Sequence, residues 1–581
     1  MSSTPTPTPH NTISAKHFAE MIAKMREAKM LAQVPKSLVA DTVISELSIL
    51  PSPATLNLAR AGEFIQSTDK YGNSITYNSR QQEFINLASS GQSCILIGAA
   101  GTGKTTCMKG TVASLINHSS TRILQNHDHK HLLHGVPGII VCAYTRRATN
   151  NIRRNMDEGM KANCITIHKL LEYGPEYSST IDDNGKEKTT MEFVPFRNHL
   201  NPLPSEISCI IFEESSMIGT SLYAEVLAAL SHEVQIIFLG DIQQLPPVFG
   251  SAILGYKMLE LPTIELTEVY RQALESPIIR LAHRILSGNP ILLPELSGDE
   301  WKVPGQLKIT PWKKKIDWEA AQNVISQLFS KLHDSKEYNP EEDMILIPFN
   351  KSFGTIEVNK SIANHLARKR TSVTWEVVAG FVKHYFSVGD KVLYDREDAI
   401  ILDIYPNPAY SGAKAQAEST YLDYWGHNNQ LGKTEESKSQ ALGTEADIDF
   451  ILSQVVASDT EDRVTQSSHH IKIKLSDSDA EKTLTKAADV NSLLLGYALT
   501  IHKAQGSEWD KVFVLFHNSH ATMLQRELLY TAVTRAKKEL FIICEGDTFT
   551  KAINSQRIKG NTLAEKAEYF KGKLDRAELQ S

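Results

Sequence analysis

Residues 94–106 read Cys94-Ile95-Leu96-Ile97-Gly98-Ala99-Ala100-Gly101-Thr102-Gly103-Lys104-Thr105-Thr106. A short apolar, β-rich run meets G-x-x-x-x-G-K-T, and helix-forming sequence follows. In that context the glycines let backbone N–H groups turn inward around the β- and γ-phosphates of a nucleotide. The N-terminus of the following helix adds positive potential. Gly98, Gly101, Thr102, Gly103, Lys104, Thr105 and Thr106 are therefore expected to bind ATP. Lys104 supplies charge to the transferred phosphate, and the Thr105 hydroxyl is expected to bind Mg²⁺.

Working outward, β-rich runs recur at Cys94–Ile97, Gly138–Ala143, Ile207–Phe212 and Val234–Leu239, each followed by a polar or glycine-containing turn. This pattern predicts an α/β unit whose parallel sheet carries its ligand at the strand ends. A second set, at Met344–Pro348, Lys511–Phe516 and Glu539–Cys544, predicts a second such unit. The third run of the first set ends Phe212-Glu213-Glu214-Ser215, two carboxylates at a strand end. Glu213 is expected to hold the metal and Glu214 to orient the attacking water. Asp is the usual residue at the first position; Glu is longer by a methylene, so the metal or its water shell must shift by about 1 Å. The fourth run continues Gly240-Asp241-Ile242-Gln243-Gln244-Leu245-Pro246-Pro247-Val248, where a carboxylate and the Gln244 amide can sense the γ-phosphate beside a rigid Pro-Pro turn.

The chain has 581 residues, which suggests about four domains or subdomains. Net charge is −6, with 41% apolar and 22% charged residues. That excludes a uniformly basic chromatin-type binder but leaves room for a local basic groove. Six cysteines without a C-x-x-C pair exclude a disulfide scaffold and suit buried thiols. No signal peptide or apolar run of about 18 residues is visible, so a soluble, cytoplasmic protein is expected.

Residues 1–13 are Ser/Thr/Pro-rich and read as disordered; Phe18, Met21, Ile22 and Met25 then recur at helical spacing behind Ser14. Asp183-Asn184-Gly185-Lys186 is a hairpin turn flanked by β-rich Ser178–Ile181 and Thr189–Val194. Phe386–Tyr394 reads as a strand led by a Gly-Asp turn, as in small β-barrels. Residues 413–470 read as a weakly ordered polar insertion, and 471–495 return to β alternation. Thr562-Leu563-Ala564-Glu565 predicts a capping box opening a final helix. The run from His127 to His134 looks like a metal site by composition, but its setting predicts a solvated loop.

The ordered series resembles the superfamily-1 helicases of the RecD/Dda type, which move 5′-to-3′ on DNA. Gly240–Val248 is similar to their motif III, Ala143–Ala148 to Ia, Thr166–His168 to Ib and Leu266–Gln272 to IV. Thr500–Glu508 is similar to V, Tyr530–Ala536 to VI and Tyr77–Gln81 to the adenine-reading Q motif. The match covers about residues 75–285, 340–395 and 470–546. The resemblance implies two RecA-like parallel-sheet motor domains with an inserted β-hairpin and an SH3-like β-barrel subdomain. The expected divisions are an N-terminal extension at 1–60 and a first motor at 61–290, with a duplex-splitting pin at 172–200. The second motor comprises 291–375 and 490–550, the barrel 376–489 and the C-terminal helix 551–581.

The resemblance also implies roles. Gln81 reads the adenine edge and Tyr270 stacks on its ring. Arg271 and Arg535 act as arginine fingers, and Gly506 and Glu508 couple nucleotide to DNA. Tyr144, Thr145, Arg147, Thr166 and His168 begin a DNA track that Asn350, Asn359, Thr500, His502 and Lys503 continue, with Phe193 or Phe196 stacking on the first unpaired base. The expected activity is an ATP- and Mg²⁺-dependent DNA helicase in replication, recombination or repair. It would act as a monomer on single-stranded and forked duplex DNA, with replication or recombination proteins as partners and no membrane. An RNA helicase of the same superfamily, and a nucleotide-gated DNA-loading protein with weak hydrolysis, remain open alternatives.

Overall fold

The computed structural model describes residues 75–117, 121–125, 127–181, 187–247, 250–269, 275–288, 307–312, 318–351, 353–380, 382–394, 397–407, 410, 466–476, 479–545 and 547–578. The N-terminal extension with its expected helix, Tyr270, Arg271, the hairpin turn and most of the polar insertion lie outside them.

The first unit runs α1 (Ser79–Ser89), β1 (Cys94–Gly98), α2 (Lys104–Asn117), β2 (Ile139–Ala143), α3 (Arg146–Asn155), β3 (Cys164–Thr166) and a single turn α4 (Ile167–Leu170). It continues with the hairpin β4 (Tyr173–Ile181) and β5 (Glu187–Pro195), then β6 (Cys209–Phe212), α5 (Thr220–Ala228), β7 (Gln235–Gly240), α6 (Ile253–Lys257) and β8 (Thr263–Leu266). Its six-stranded sheet has the order β3-β2-β6-β7-β1-β8 and is parallel throughout. Strands β1, β2 and β6 are buried along their whole length, as sequence covered on both faces must be. Ile97 pairs with Gly240, and Phe212 with Phe238. The chain therefore leaves Gly98, Phe212 and Gly240 at the same end of the sheet, bringing the phosphate loop, Glu213 and Asp241 to that end.

The second unit begins with α7 (Pro277–Leu286), β9 (Leu307–Trp312), α8 (Trp318–Asp334), β10 (Met344–Ile347) and α9 (Thr355–Arg370). An antiparallel module follows: β11 (Thr374–Ala379), β12 (Val382–Ser387), β13 (Lys391–Tyr394), β14 (Glu397–Pro406), β15 (Gln466–Leu475), β16 (Glu481–Lys486), α10 (Ala487–Asn491) and β17 (Leu494–Leu495). The chain returns through β18 (Ala498–Thr500), β19 (Trp509–Phe516), α11 (Arg526–Val533), β20 (Ala536–Glu545), α12 (Thr548–Asn554) and α13 (Leu563–Glu578). The second sheet, β18-β10-β19-β20-β9, is again parallel. The fold is thus α/β with two parallel sheets and an SH3-like antiparallel half-barrel.

Four features depart from the sequence reading. Phe386–Tyr394 is two strands: Gly389 takes φ 86°, and the Asp390 carboxylate accepts the Ser387 N–H at 2.8 Å, turning β12 into β13. Helix α7 shares its core with α11 through Ile278, Leu281, Ala282 and Ile285, so the first unit gives way to the second between Leu266 and Pro277 rather than at 290. Helix α13 returns to the first unit, where Phe570 is buried against Tyr256 at 5.2 Å, while Phe549 and Ile553 of α12 belong to the second unit's core. Its Glu565 carboxylate takes the Asn561 N–H, at 2.7 Å, so the predicted box closes one residue early. Lastly, His129 is buried rather than solvated. Its Nε2 meets the Leu170 carbonyl at 2.8 Å, and Arg197 ties Glu172 to Asp128 beside it.

Candidate nucleotide site and nucleic-acid track

The loop between β1 and α2 is shaped by its glycines. Gly101 and Gly103 have φ 81° and 83°, open to glycine at little cost. A Cβ at Gly98 would fall 2.4 Å from Thr102 Oγ1, whose hydroxyl donates to the Ala99 carbonyl at 2.8 Å. Lys104 Nζ donates to the carbonyls of Gly98 at 2.6 Å and Ala99 at 3.2 Å, so the ammonium rests where phosphate oxygens would replace carbonyls. Thr105 and Thr106 open α2 half-buried. Gln81 is fully buried and differs from expectation. Its Oε1 accepts the Asn78 N–H at 3.1 Å in a capping box, and its Nε2 donates to Gly103 O at 3.3 Å. Reading an adenine edge would require freeing both ends of that amide.

Glu213 lies at the end of β6, 9% exposed. Burial lifts its carboxyl to about 8, Glu214 and Glu508 push the same way, and Lys104 and Arg535 oppose them. Glu214 follows with φ 51° and ψ 41°, a left-handed conformation for a side-chain-bearing residue, and its Oε2 is buried without a hydrogen-bond partner. A buried carboxyl that resists ionisation, beside a second one with an orphaned oxygen, fits a divalent cation.

Lys104 and Glu214 of the first unit and Glu508 and Arg535 of the second all act on one carboxyl, so the two units meet here. Four hydrogen bonds hold the seam. Tyr530, fully buried on α11, accepts the Ala100 N–H at 2.8 Å and donates to Asp241 at 2.6 Å. The Leu245 N–H donates to Thr531 Oγ1 at 3.1 Å. Gln505 Nε2 donates to the Leu245 carbonyl at 2.9 Å. Gln244 is buried with Oε1 unpartnered. The Arg535 guanidinium is buried on Thr531 O, Ser507 O and Thr534 Oγ1 at 3.0, 3.2 and 3.1 Å. Sequence reasoning assigned no role to Tyr530, Thr531 or Gln505. Their one signal was position inside the ordered motifs.

The expected track residues divide. His168 lies edge-on between Tyr144 and Tyr173, with ring centroids at 5.5 and 5.0 Å. Thr145 and Thr166 cap α3 and α4, and Thr500 Oγ1 accepts the Lys503 N–H at 3.3 Å. Asn350 accepts from Thr355 Oγ1 at 2.9 Å before α9. His502 and Lys503 are half-buried, and burial together with Arg557 lowers the His502 imidazole to about 4. Asn359 does not belong to the track. It is buried, and its amide makes bonds of 2.9 and 2.7 Å to Ala498 backbone groups. Arg147 pairs with Asp398 of the half-barrel at 2.6 Å and lies over the Trp509 ring, which locks a motif Ia cation against both other parts. Gly506 approaches α3 so closely that a Cβ would sit 2.6 Å from Ala148 Cβ. Glu508 is exposed and pairs with Lys537 at 3.5 Å. On the hairpin, Phe193 is 63% and Phe196 47% exposed.

A family model described as an AAA domain matches residues 81–250, and one described as a UvrD-like helicase C-terminal domain matches 495–543. An ATP-dependent RecD2 DNA helicase from Deinococcus radiodurans is 27% identical over 470 residues, covering 81% of this chain and 49% of that protein. A RecBCD enzyme subunit RecD from Buchnera aphidicola is 22% identical over 483 residues, covering 79% and 71%. The chain thus spans about half the length of the first relative. A crystal structure of Pif1 helicase from Candida albicans aligns with 86% of this chain and 100% of its own at a TM-score of 0.38 and 15% identity. Among the described residues no helix is long and apolar enough to cross a membrane. In its ordered motifs, its two matched models and its curated relatives, the chain is similar to the RecD type of superfamily-1 helicases.

Proposed function

We propose that this chain is an ATP-driven DNA helicase that translocates 5′-to-3′ on single strands and unwinds forked duplexes in the cytoplasm, serving replication, recombination or repair. The observation that supports this most is the convergence of Lys104, Glu214, Glu508 and Arg535 on the Glu213 carboxyl at a seam between two α/β units. Such a seam can respond to a nucleotide by closing and reopening.

In this reading Lys104 exchanges its loop carbonyls for phosphate oxygens. Thr105 and Glu213 would hold Mg²⁺, which when bound neutralises charge on the β- and γ-phosphates. Glu214 orients the attacking water through its orphaned oxygen. Arg535, with Arg271 from the other side, meets the γ-phosphate; an arginine in that role raises turnover about 10³–10⁵-fold in NTPases that use one. Asp241 and Gln244 sense the phosphate, and Tyr530 carries their movement into the second unit. Tyr144 and His168 offer stacking faces to the strand, and Phe193 or Phe196 stands at the fork.

Strand displacement on matched 5′-tailed and 3′-tailed DNA duplexes tests the reading. Unwinding confined to the 5′-tailed substrate is the expected result, and unwinding only from 3′ tails would reverse the polarity. RNA duplexes in the same assay test the RNA-helicase reading. Glu213 in place of Asp is the one observation that favours a weakly hydrolysing loader; ATP turnover indifferent to single strands would support it.

A further inference from the structure

Away from the seam, α8 and α9 share one core cluster through Leu328, Phe329, Leu332, Ile362 and Leu366. Where that contact ends, His333 and Asp334 at the C-terminus of α8 face His365 of α9. His333 Nδ1 and His365 Nε2 share a hydrogen bond of 3.2 Å, whose proton must shift to a far ring nitrogen before both can ligate, and Asp334 Oδ1 lies 4.0 Å from the first and 3.6 Å from the second. The point equidistant from the corners of that triangle is about 2.1 Å from each, the length of a Zn–N or Zn–carboxylate bond. The imidazole planes are perpendicular, at 90° with centroids 5.3 Å apart, so the nitrogens converge without ring stacking. A cavity of about 10 Å³ lined by Phe329, Tyr338, Pro340 and Leu366 adjoins them. It admits an ion or a water but no organic ligand.

Charge acts in both directions. The C-terminal end of α8 contributes partial negative charge to the spot. Lys369, 54% exposed, holds the same Asp334 Oδ1 at 2.9 Å, and Arg368 also bears on His365. An ammonium therefore already holds the carboxylate oxygen that a cation would take, on a side chain long and exposed enough to swing away.

We propose that His333, Asp334 and His365 form a Zn²⁺ site in which the metal exchanges with the Lys369 ammonium and clasps α8 to α9, with water as the fourth ligand. The mixed nitrogen–oxygen set suits zinc, while the octahedral all-oxygen preference of Mg²⁺ excludes it. The site is independent of the nucleotide chemistry.

The test uses the full chain, stripped of metal and held in excess Mg²⁺ so that the nucleotide site is occupied. Co²⁺ is titrated while its visible ligand-field bands are followed, and Zn²⁺ is then added to displace it. One Co²⁺ should bind with tetrahedral bands in the unaltered chain, and His365→Ala or His333→Ala should weaken it about tenfold or more. Lys369→Ala should tighten binding severalfold by removing the competing ammonium. Zn²⁺ should raise the melting temperature of the parent and not of His365→Ala. Identical titrations for the parent and His365→Ala would overturn the site. If the histidine variants fail to fold, Lys369→Ala decides alone, and an unchanged affinity there would overturn it equally.

Discussion

Glu214 holds a left-handed backbone that costs on the order of 1–3 kcal/mol, with a buried carboxylate oxygen that no donor meets. Strain and desolvation at one residue persist only where neighbouring structure enforces them, here the Ser215 hydroxyl anchored on the Leu239 carbonyl at 2.8 Å. Arg535 and Tyr530 make separate predictions. Arg535→Ala is expected to lose at least about 10³-fold in kcat while nucleotide binding survives, measured by steady-state hydrolysis and nucleotide titration. Loss of folding instead would mark the arginine as structural, a real contrast because its guanidinium is buried on three oxygens. Tyr530→Phe keeps the ring and removes one hydroxyl, taking the donor from Asp241 Oδ2 and the acceptor from the Ala100 N–H. It should destabilise by about 1–3 kcal/mol and blunt the stimulation of ATP turnover by single strands. Thermal melting and turnover with and without DNA check it.

Elements show what the sequence discloses. The phosphate loop, the four long strands of the first unit and the hairpin were legible because each is written locally, as an apolar run punctuated by glycine or Asn-Gly. Strands β3 and β18, three residues each, carry no period long enough to read. Asn359 was misplaced because its partner, Ala498, lies far along the chain. Buried His129 escaped notice for the same reason: its cover is folded over from Leu170, Glu172 and Arg197. The turn after β19 makes a testable case. His520 Nε2 meets the Phe353 carbonyl at 2.9 Å, Nδ1 accepts the His517 N–H at 3.1 Å, and burial lowers the imidazole from 6.5 to about 4. The unfolded chain therefore binds the proton more readily. Stability is intact above about pH 6.5 and falls as pH drops toward 4, by up to about 3 kcal/mol for this group. His517, whose Nε2 lies 3.2 Å from the Glu545 carboxylate, is its neighbour in the turn. Melting of His520→Gln between pH 7 and pH 4 should fall less steeply than that of the parent.

At the scale of the molecule, α12 and α13 are stapled to different units. The Phe570 ring fills the space beside Gly255 so tightly that a Cβ there would lie 2.2 Å from it, and Lys566 Nζ is buried on the Ile558 carbonyl at 3.3 Å. Phe570→Ala should cost about 3–5 kcal/mol where α13 docks. Limited proteolysis should then release α13 before either sheet is cut; simultaneous loss of both sheets would mean that the units do not open separately.

The eight residues 555–562 that join those helices set a leash. Fully stretched they reach about 27 Å, so the two lobes can part only that far while α13 remains docked. Confined to so small a volume, each lobe meets the other at an effective concentration of the order of millimolar. Reclosure is then an intramolecular event whose frequency does not depend on how dilute the protein is.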